Sequence, residues 1–244
     1  MTATNLSVQV HNASFSGYGV NGNGGALLLS ATDYANITVT NSSFEDTSSF
    51  GAFKGGAFHL ECWRSTVKLN RCVFKGNKAG SGGAVSIHEF RSLSKSVENV
   101  TQRKDHYMPK TNTEPLLNVD ITDCVFKAAS SYSTYGGAVS IVGPKILVRS
   151  LNSTFTDCSA HTSGGALYVG SIFQMVESVA LYVENSRFIG CRNNGEFGGA
   201  VYVSFGALTN VTFKETLFES SSSTGYGAGV PIIKSYSAMS SGKD

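Results

Sequence analysis

The tripeptide Gly-Gly-Ala recurs along this chain, at 24–26, 55–57, 82–84, 136–138, 164–166 and 198–200, with a degraded Gly227-Ala228-Gly229 at the end. Each copy follows a phenylalanine by eight to eleven residues: Phe15, Phe44, Phe74, Phe126, Phe155, Phe188 and Phe218. These phenylalanines are spaced 29, 30, 52, 29, 33 and 30 residues apart. A period near 30 marks a chain of stacked supersecondary units, none of which buries its apolar face alone. Only the spacing of 52 departs from the period, and an insertion over residues 88–118 accounts for it.

Alignment on the phenylalanine shows what each position requires. Seven residues before it stand Val8, Ile37, Val67, Val119, Val148, Leu181 and Val211. Five before it stand Val10, Val39, Leu69, Ile121, Ser150, Val183 and Phe213, and two before it small residues from Ala13 to Thr216. These are two stretches of period two with one extra residue between them, hence a strand, a bend and a second strand facing the same interior. The bend slot holds Asn12, Asn41, Asp123, Asn152 and Asn185, residues that form turns readily. After Gly-Gly-Ala comes a third alternating stretch, as in Val85 and Ile87 or Val139 and Ile141. Three short strands per repeat and no helical period predict an all-β, right-handed parallel β-helix of about seven coils, forming one domain over 1–244. Coils spaced at about 4.8 Å stack like on like, and the glycines mark tight corners.

Phe74-Lys75-Gly76-Asn77 leading into Gly82-Gly83-Ala84-Val85 resembles the paired F-x-x-N and G-G-A-[ILV] motifs of the polymorphic outer-membrane protein repeat family. The resemblance runs along almost the whole chain through Gly-Gly-Ala. The asparagine stands only in the third copy, the other slots holding Tyr18, Thr47, Ala129, Cys158, Cys191 and Ser221. In that family the repeats form β-helical passengers of autotransporters, so the resemblance implies a surface protein used in adhesion.

Charged residues make up 15% of the chain and the formal net charge is +2, a balance unlike that of nucleic-acid binders or disordered segments. No apolar run approaches the roughly 20 residues of a membrane helix, so no membrane insertion by this segment is expected. Met1-Thr2-Ala3-Thr4-Asn5 has no basic start or apolar core of a signal peptide, so localisation rests on indirect features.

β-Helices often carry polysaccharide lyases and hydrolases, which need acids clustered on adjacent coils. The positions expected to face outward run Leu28, His59, Ser86, Ser140, Tyr168 and Tyr202 on the Gly-Gly-Ala strand. On the first strand they run Gln9, Thr38, Lys68, Asp120, Arg149, Tyr182 and Thr212. Neither row stacks two acids on neighbouring coils, and Lys68, Asp120 and Arg149 read as a surface ion-pair ladder. No catalytic residue, metal site or cofactor is assigned, since no histidine pairs with Cys, Asp or Glu at a ligand spacing. Tyr168, Tyr182 and Tyr202 are candidates for stacking on sugar rings, against a reading as ordinary surface tyrosines.

Cys72 and Cys124 share one slot in successive coils, and Cys158 and Cys191 share another. Both stacked disulfides and buried free thiols fit that placement. Cys62 has no partner in the alignment. Sequons occur at Asn5, Asn12, Asn36, Asn41, Asn99, Asn152 and Asn210, with Asn12, Asn41 and Asn152 in the exposed bend slot. They read as N-glycosylation sites or as turns that favour Asn before Ser. The 88–118 insertion concentrates charge, including Arg91, Lys95, Glu98, Arg103 and Lys104, and suits a partner-binding loop or a solvated excursion.

The residues 231–244 read as an irregular tail, and neither end shows a polar cap of the kind that closes a solenoid. The expected partners are therefore other β-helix segments or copies of the chain end to end, with glycans or cell-surface proteins as ligands and no nucleic acid. Two functions follow from these features. The first is a non-enzymatic extracellular or cell-surface protein, structural (filament or matrix) or adhesive. The second is a carbohydrate-active enzyme with its site around His59, Asp120 and Arg149.

Overall fold

The computed structural model describes residues 2–89, 116–170, 178–195, 197–204, 208–225, 227, 229 and 232–233. All of its regular structure is strand, and every strand pair is parallel. Successive coils stack into a β-solenoid of about six turns, closed by seven rungs at the phenylalanines. The expected β-helix is the observed fold.

The phenylalanine strands form a seven-stranded sheet running from Ser14–Ser16 through Ser43–Glu45, Val73–Lys75, Val125–Lys127, Thr154–Thr156 and Arg187–Ile189 to Leu217–Glu219. Each phenylalanine pairs in register with the next, including Phe74 with Phe126 across the 52-residue spacing. The rings stack face to face at 4.7–5.0 Å between centroids, with interplanar angles of 1–9°. That spacing is the strand spacing itself, so the backbone ladder dictates the ring stack. Phe44, Phe74, Phe126, Phe155 and Phe188 are fully buried beside the Val, Ile and Leu ladders of the first strand.

The bend before each phenylalanine is left-handed. Asn12, Asn41, Asp123, Asn152 and Asn185 have φ of 49–53°, as the turn-forming slot requires. Arg71 and Glu215 occupy the same slot at φ 52° and 49°. For a long side chain that conformation costs about 1 kcal/mol. Arg71→Asn is therefore expected to raise the unfolding free energy by about 0.5–1 kcal/mol, read as a higher urea midpoint with unchanged slope.

From the second coil on, the small slot after the bend holds a donor for a definite acceptor. Ser42 Oγ donates to the Thr40 carbonyl at 2.8 Å and accepts the Ala13 N–H of the coil below at 3.1 Å. Ser153 and Ser186 repeat both contacts with Leu151, Cys124, Glu184 and Ser153. Cys72 and Cys124 stand in for serine, their thiols donating to Asn70 and Thr122 carbonyls at 3.3 Å.

A second left-handed bend follows two residues after each phenylalanine, at Gly17, Asp46, Gly76, Ala128, Asp157, Gly190 and Ser220. It leads into two-residue strands, from Gly19–Val20 to Ser222–Ser223, that form a second seven-stranded sheet. The sequence had suggested three strands per coil without this one. Conversely, the Gly-Gly-Ala strand and the following first strand run together as Leu27–Thr40 and Phe58–Asn70, and so belong to one twelve-stranded sheet. From the second coil to the sixth, the slot three residues after the phenylalanine lies on the inner side. Asn77 Nδ2 donates there to the Phe44 carbonyl at 3.2 Å and to Thr47 Oγ1 at 2.7 Å, and Cys191 donates to the Phe155 carbonyl at 3.5 Å. The asparagine of the F-x-x-N motif thus ties one coil to the phenylalanine of the coil below.

Two expected boundaries change. His88 and Glu89 close the strand Val85–Glu89, and Leu117 and Asn118 open the strand Leu117–Thr122, so the excursion is narrower than 88–118. Its charged residues and Asn99 lie outside the described residues. Ile232–Ile233 forms a strand paired to Val203 and Ser204, so the segment expected to be an irregular tail begins with ladder structure.

Candidate functional site

The Gly-Gly-Ala step does more than turn a corner. At Gly55 φ is +67°, and a Cβ there would stand 2.2 Å from the Phe58 carbonyl oxygen and 3.0 Å from the His59 Cβ. The chain just before each Gly-Gly-Ala therefore crosses the outer side of the strand just after it. Parallel bridges Lys54↔Ser81, Tyr135↔Ser163 and Ser163↔Phe197 join these crossing segments from coil to coil into an outer strap.

The strap reverses the expectation for the outward row. His59, Ser86 and Ser140 are fully buried, and Tyr168 is 3% exposed. Only Leu28, in the first coil, is open to solvent among the buried row's neighbours, at 46%. Ser81 of the strap meets Ser140 at 3.2 Å, and Tyr135 stacks on Tyr168 with centroids 4.4 Å apart. Tyr168 in turn stacks on Tyr202 at 5.3 Å. Burial, with Tyr135 and Tyr202 alongside, pushes the Tyr168 phenol up. The tyrosines expected to face a ligand are thus divided. Tyr168 is internal, Tyr202 is half-buried, and Tyr182 lies on the first-strand face, where its hydroxyl accepts from Asn210 Nδ2 at 3.0 Å.

Beneath the strap of coils two and three lies an ionisable cluster. His59 and Glu61 alternate onto the same side of Phe58–Asn70, and His88 of the next coil pairs in register with Glu61. His59 Nε2 meets Glu61 Oε1 at 3.1 Å. With Glu61 ionised, Nε2 carries the proton and donates it, which leaves a lone pair on Nδ1. Lys54, in the strap, donates from Nζ to His88 Nδ1 at 3.0 Å, so the proton of that ring sits on Nε2. The rings of His59 and His88 lie 6.1 Å apart. Two buried atoms in this cluster have no protein partner, His88 Nε2 and Ser86 Oγ, and His59 Nδ1 has only the Ser86 backbone beside it.

The charges follow from this placement. Burial pulls His59 below the ordinary histidine value against the opposing pull of Glu61. Burial, then the Lys54 and His59 charges, push His88 well down. Burial also lowers Lys54, with Glu61 opposing, while the hydrogen bond from His59 keeps Glu61 low. Both imidazoles are therefore neutral at neutral pH, between one cation and one anion. Among the described residues no three of His, Cys, Asp and Glu gather closely enough to hold a metal ion.

The three residues considered for an enzyme are not assembled. His59 is sealed under the strap, whereas Asp120 and Arg149 pair at 3.3 Å on the first-strand face, with side chains 29% and 45% exposed. Similar cross-coil pairs join Arg64 to Asp33 at 2.8 Å and Lys75 to Glu45 at 3.7 Å. They are ordinary surface rungs, each contributing under about 1 kcal/mol.

All five cysteines are free and buried. In each stacked pair the hydrogen bond between the thiols holds Cys72 and Cys191 down and, with burial, pushes Cys124 and Cys158 up, so the pair retains one proton. Burial pushes Cys62 up to about 12. The sequon residues Asn5, Asn12, Asn36, Asn41, Asn152 and Asn210 are all exposed. Asn12, Asn41 and Arg71 line an open groove of about 420 Å³ along the bends of the first three coils, with Ser14, Ser43 and Val73 on its other side.

No protein-family model, curated protein or solved structure matches this chain. The resemblance to the polymorphic outer-membrane protein repeat therefore rests on the Phe and Gly-Gly-Ala motifs themselves.

The sequence signals for the buried cluster were present but faint. A His-x-Glu step places both side chains on one side of a strand. The strap, which makes that side internal, has no such signal.

Proposed function

We propose that this chain is a non-enzymatic β-helix of the extracellular space or cell surface, with a structural or adhesive role, glycosylated on its bends. The observation that carries the reading is the exposure of the six described sequon asparagines, three of them in one bend slot on three coils. A bend slot is a fitting acceptor, because its asparagines are exposed outside the strands, with Asn152 Nδ2 also donating to Asp123 Oδ1 of the coil below at 3.2 Å. Two further features support it. On the first-strand face Asp120 and Glu184 pair with cations across coils, which leaves no carboxylate couple of the kind glycoside hydrolysis requires among the described residues of that face. The uninterrupted stack of like residues also suits a rigid spacer that bears load along its axis or displays a repeated surface.

Filament or matrix assembly would use other β-helix segments or copies of this chain as partners, and adhesion would use glycans or cell-surface proteins. The test is a glycopeptide map of the protein purified from its natural source, with and without enzymatic deglycosylation. N-glycan mass on at least one of Asn12, Asn41 and Asn152 is expected, lost on deglycosylation. Unmodified peptides at every sequon would remove the extracellular reading. Release of reducing or unsaturated sugar from acidic polysaccharides would replace it with an enzymatic one.

A further inference from the structure

We propose that Lys54, His88, His59 and Glu61 form an acid-sensitive latch that fastens the outer strap of coil two onto coil three and releases it on acidification. The strap is attached there by the Lys54–His88 hydrogen bond at 3.0 Å and, around the Lys54–Ser81 bridge, by backbone bonds from the Gly55 N–H to the Ser81 carbonyl at 2.9 Å and from the Gly80 N–H to the Phe53 carbonyl at 2.7 Å. Elsewhere it is held by aromatic stacking, as at Tyr135 and Tyr168, which is indifferent to pH. Coil two is the place where proton binding decides whether the outer layer stays closed.

The groups facing His88 come from each neighbouring element. The strap supplies Lys54, the strand Phe58–Asn70 supplies His59 and Glu61, and on the strand Val85–Glu89 itself the neighbouring Glu89 alternates to the other face, level with Cys62. The neighbouring strand Val139–Val142 places Ser140 and Val142 beside Ser86 and His88 and brings no charge. A proton added to His88 thus meets the Lys54 ammonium at hydrogen-bond distance and turns its acceptor nitrogen into a donor. Two donors then face each other in a buried site, the bond is lost, and like charges repel. A proton added to His59 falls on Nδ1, where a contact with the Ser86 backbone is outweighed by burial. Glu61 can compensate one imidazolium, and it is already held by His59.

The sign follows from burial. Both native imidazoles resist protonation, so the open strap binds more protons than the closed one below the ordinary histidine value, near 6.5. The closed strap is favoured above that pH. Below it, the closed-to-open ratio falls by up to tenfold per pH unit for each imidazole until the native groups themselves titrate. Glu61 keeps its charge through this window, because its own shift is downward. The latch is a property of the fold and stands or falls apart from the extracellular reading.

The experiment is hydrogen exchange of the intact chain at pH 7.5 and 5.0, corrected for intrinsic exchange, read by mass spectrometry. Peptides covering 52–61 and 81–89 are expected to lose at least tenfold in protection at pH 5.0, while 73–75 and 125–127 keep theirs. His88→Gln, neutral at both pH values, should abolish most of the loss. If that variant proves unfolded at pH 7.5, Lys54→Met decides: without the ammonium, His88 protonates at less cost and the loss at pH 5.0 shrinks. Full protection at pH 5.0 in the unaltered chain overturns the latch. An undiminished loss in His88→Gln, or in Lys54→Met should His88→Gln not fold, also overturns it.

Discussion

Gly83→Ala is expected to cost more than about 4 kcal/mol and to leave coils three and four unable to stack, read as loss of soluble folded protein or collapse of the urea midpoint. The new Cβ would lie 2.2 Å from the Gly137 carbonyl oxygen and 2.5 Å from the Ser130 amide nitrogen. All of its nearest neighbours are backbone of the adjacent coil, so no rotamer change relieves the clash. The second glycine of each step is thus the point at which strap, two-residue strand and next coil meet. Gly17→Ala provides the contrast. Its Cβ would meet nothing within 4 Å, and only its φ of +70° opposes the change. A cost of about 1 kcal/mol is expected there.

Phe126→Ala is the second large effect. Phe126 is fully buried, with Phe74 and Phe155 each 4.8 Å away and nearly parallel. Truncation removes both stacks and opens a cavity in the middle of a rod that cannot collapse laterally without breaking the ladder. The expected cost is about 3–5 kcal/mol by urea unfolding. Phe218, half-buried and stacked along the column only on Phe188 at 5.0 Å, should cost clearly less. Equal losses at the two positions would mean that the column does not act as a stack.

These contrasts show where the sequence is informative. Phenylalanine, β-branched and small columns are legible because a ladder needs the same residue type in every coil, and repetition makes the requirement visible. The bend at Asn12, Asn41 and Asn152 is legible for the same reason, since a left-handed turn narrows the choice to few residues. The second bend is not, because Ala128 and Ser220 share its slot with Gly17 and Asp46 and blur the pattern. The strap is hidden more completely. Asn23, Lys54, Ser81, Tyr135, Ser163 and Phe197 precede the six Gly-Gly-Ala steps and share no chemistry, because what matters there is the backbone path. A row that alternates away from the core reads as solvent-facing, and only the path of the strap makes it internal. His59, Ser86 and Tyr168 were therefore placed on the surface, and the contact of Lys54 with His88 could not be foreseen across 34 residues.

The stacking register itself is tested most directly by pulsed electron–electron distance measurements between spin labels on the exposed side of the phenylalanine strands. Leu217 is paired in turn with Val125, Val73 and Ser43, which stand three, four and five rungs away. The backbone separations expected from the strand spacing are about 14, 19 and 24 Å. The buried native thiols stay unlabelled under folding conditions. A narrow distribution that lengthens by about 5 Å per rung, through the 52-residue spacing as through the others, is the predicted result. Distances that fail to lengthen in even steps, or that jump between Val125 and Val73, would contradict the stack of coils on which every other inference rests.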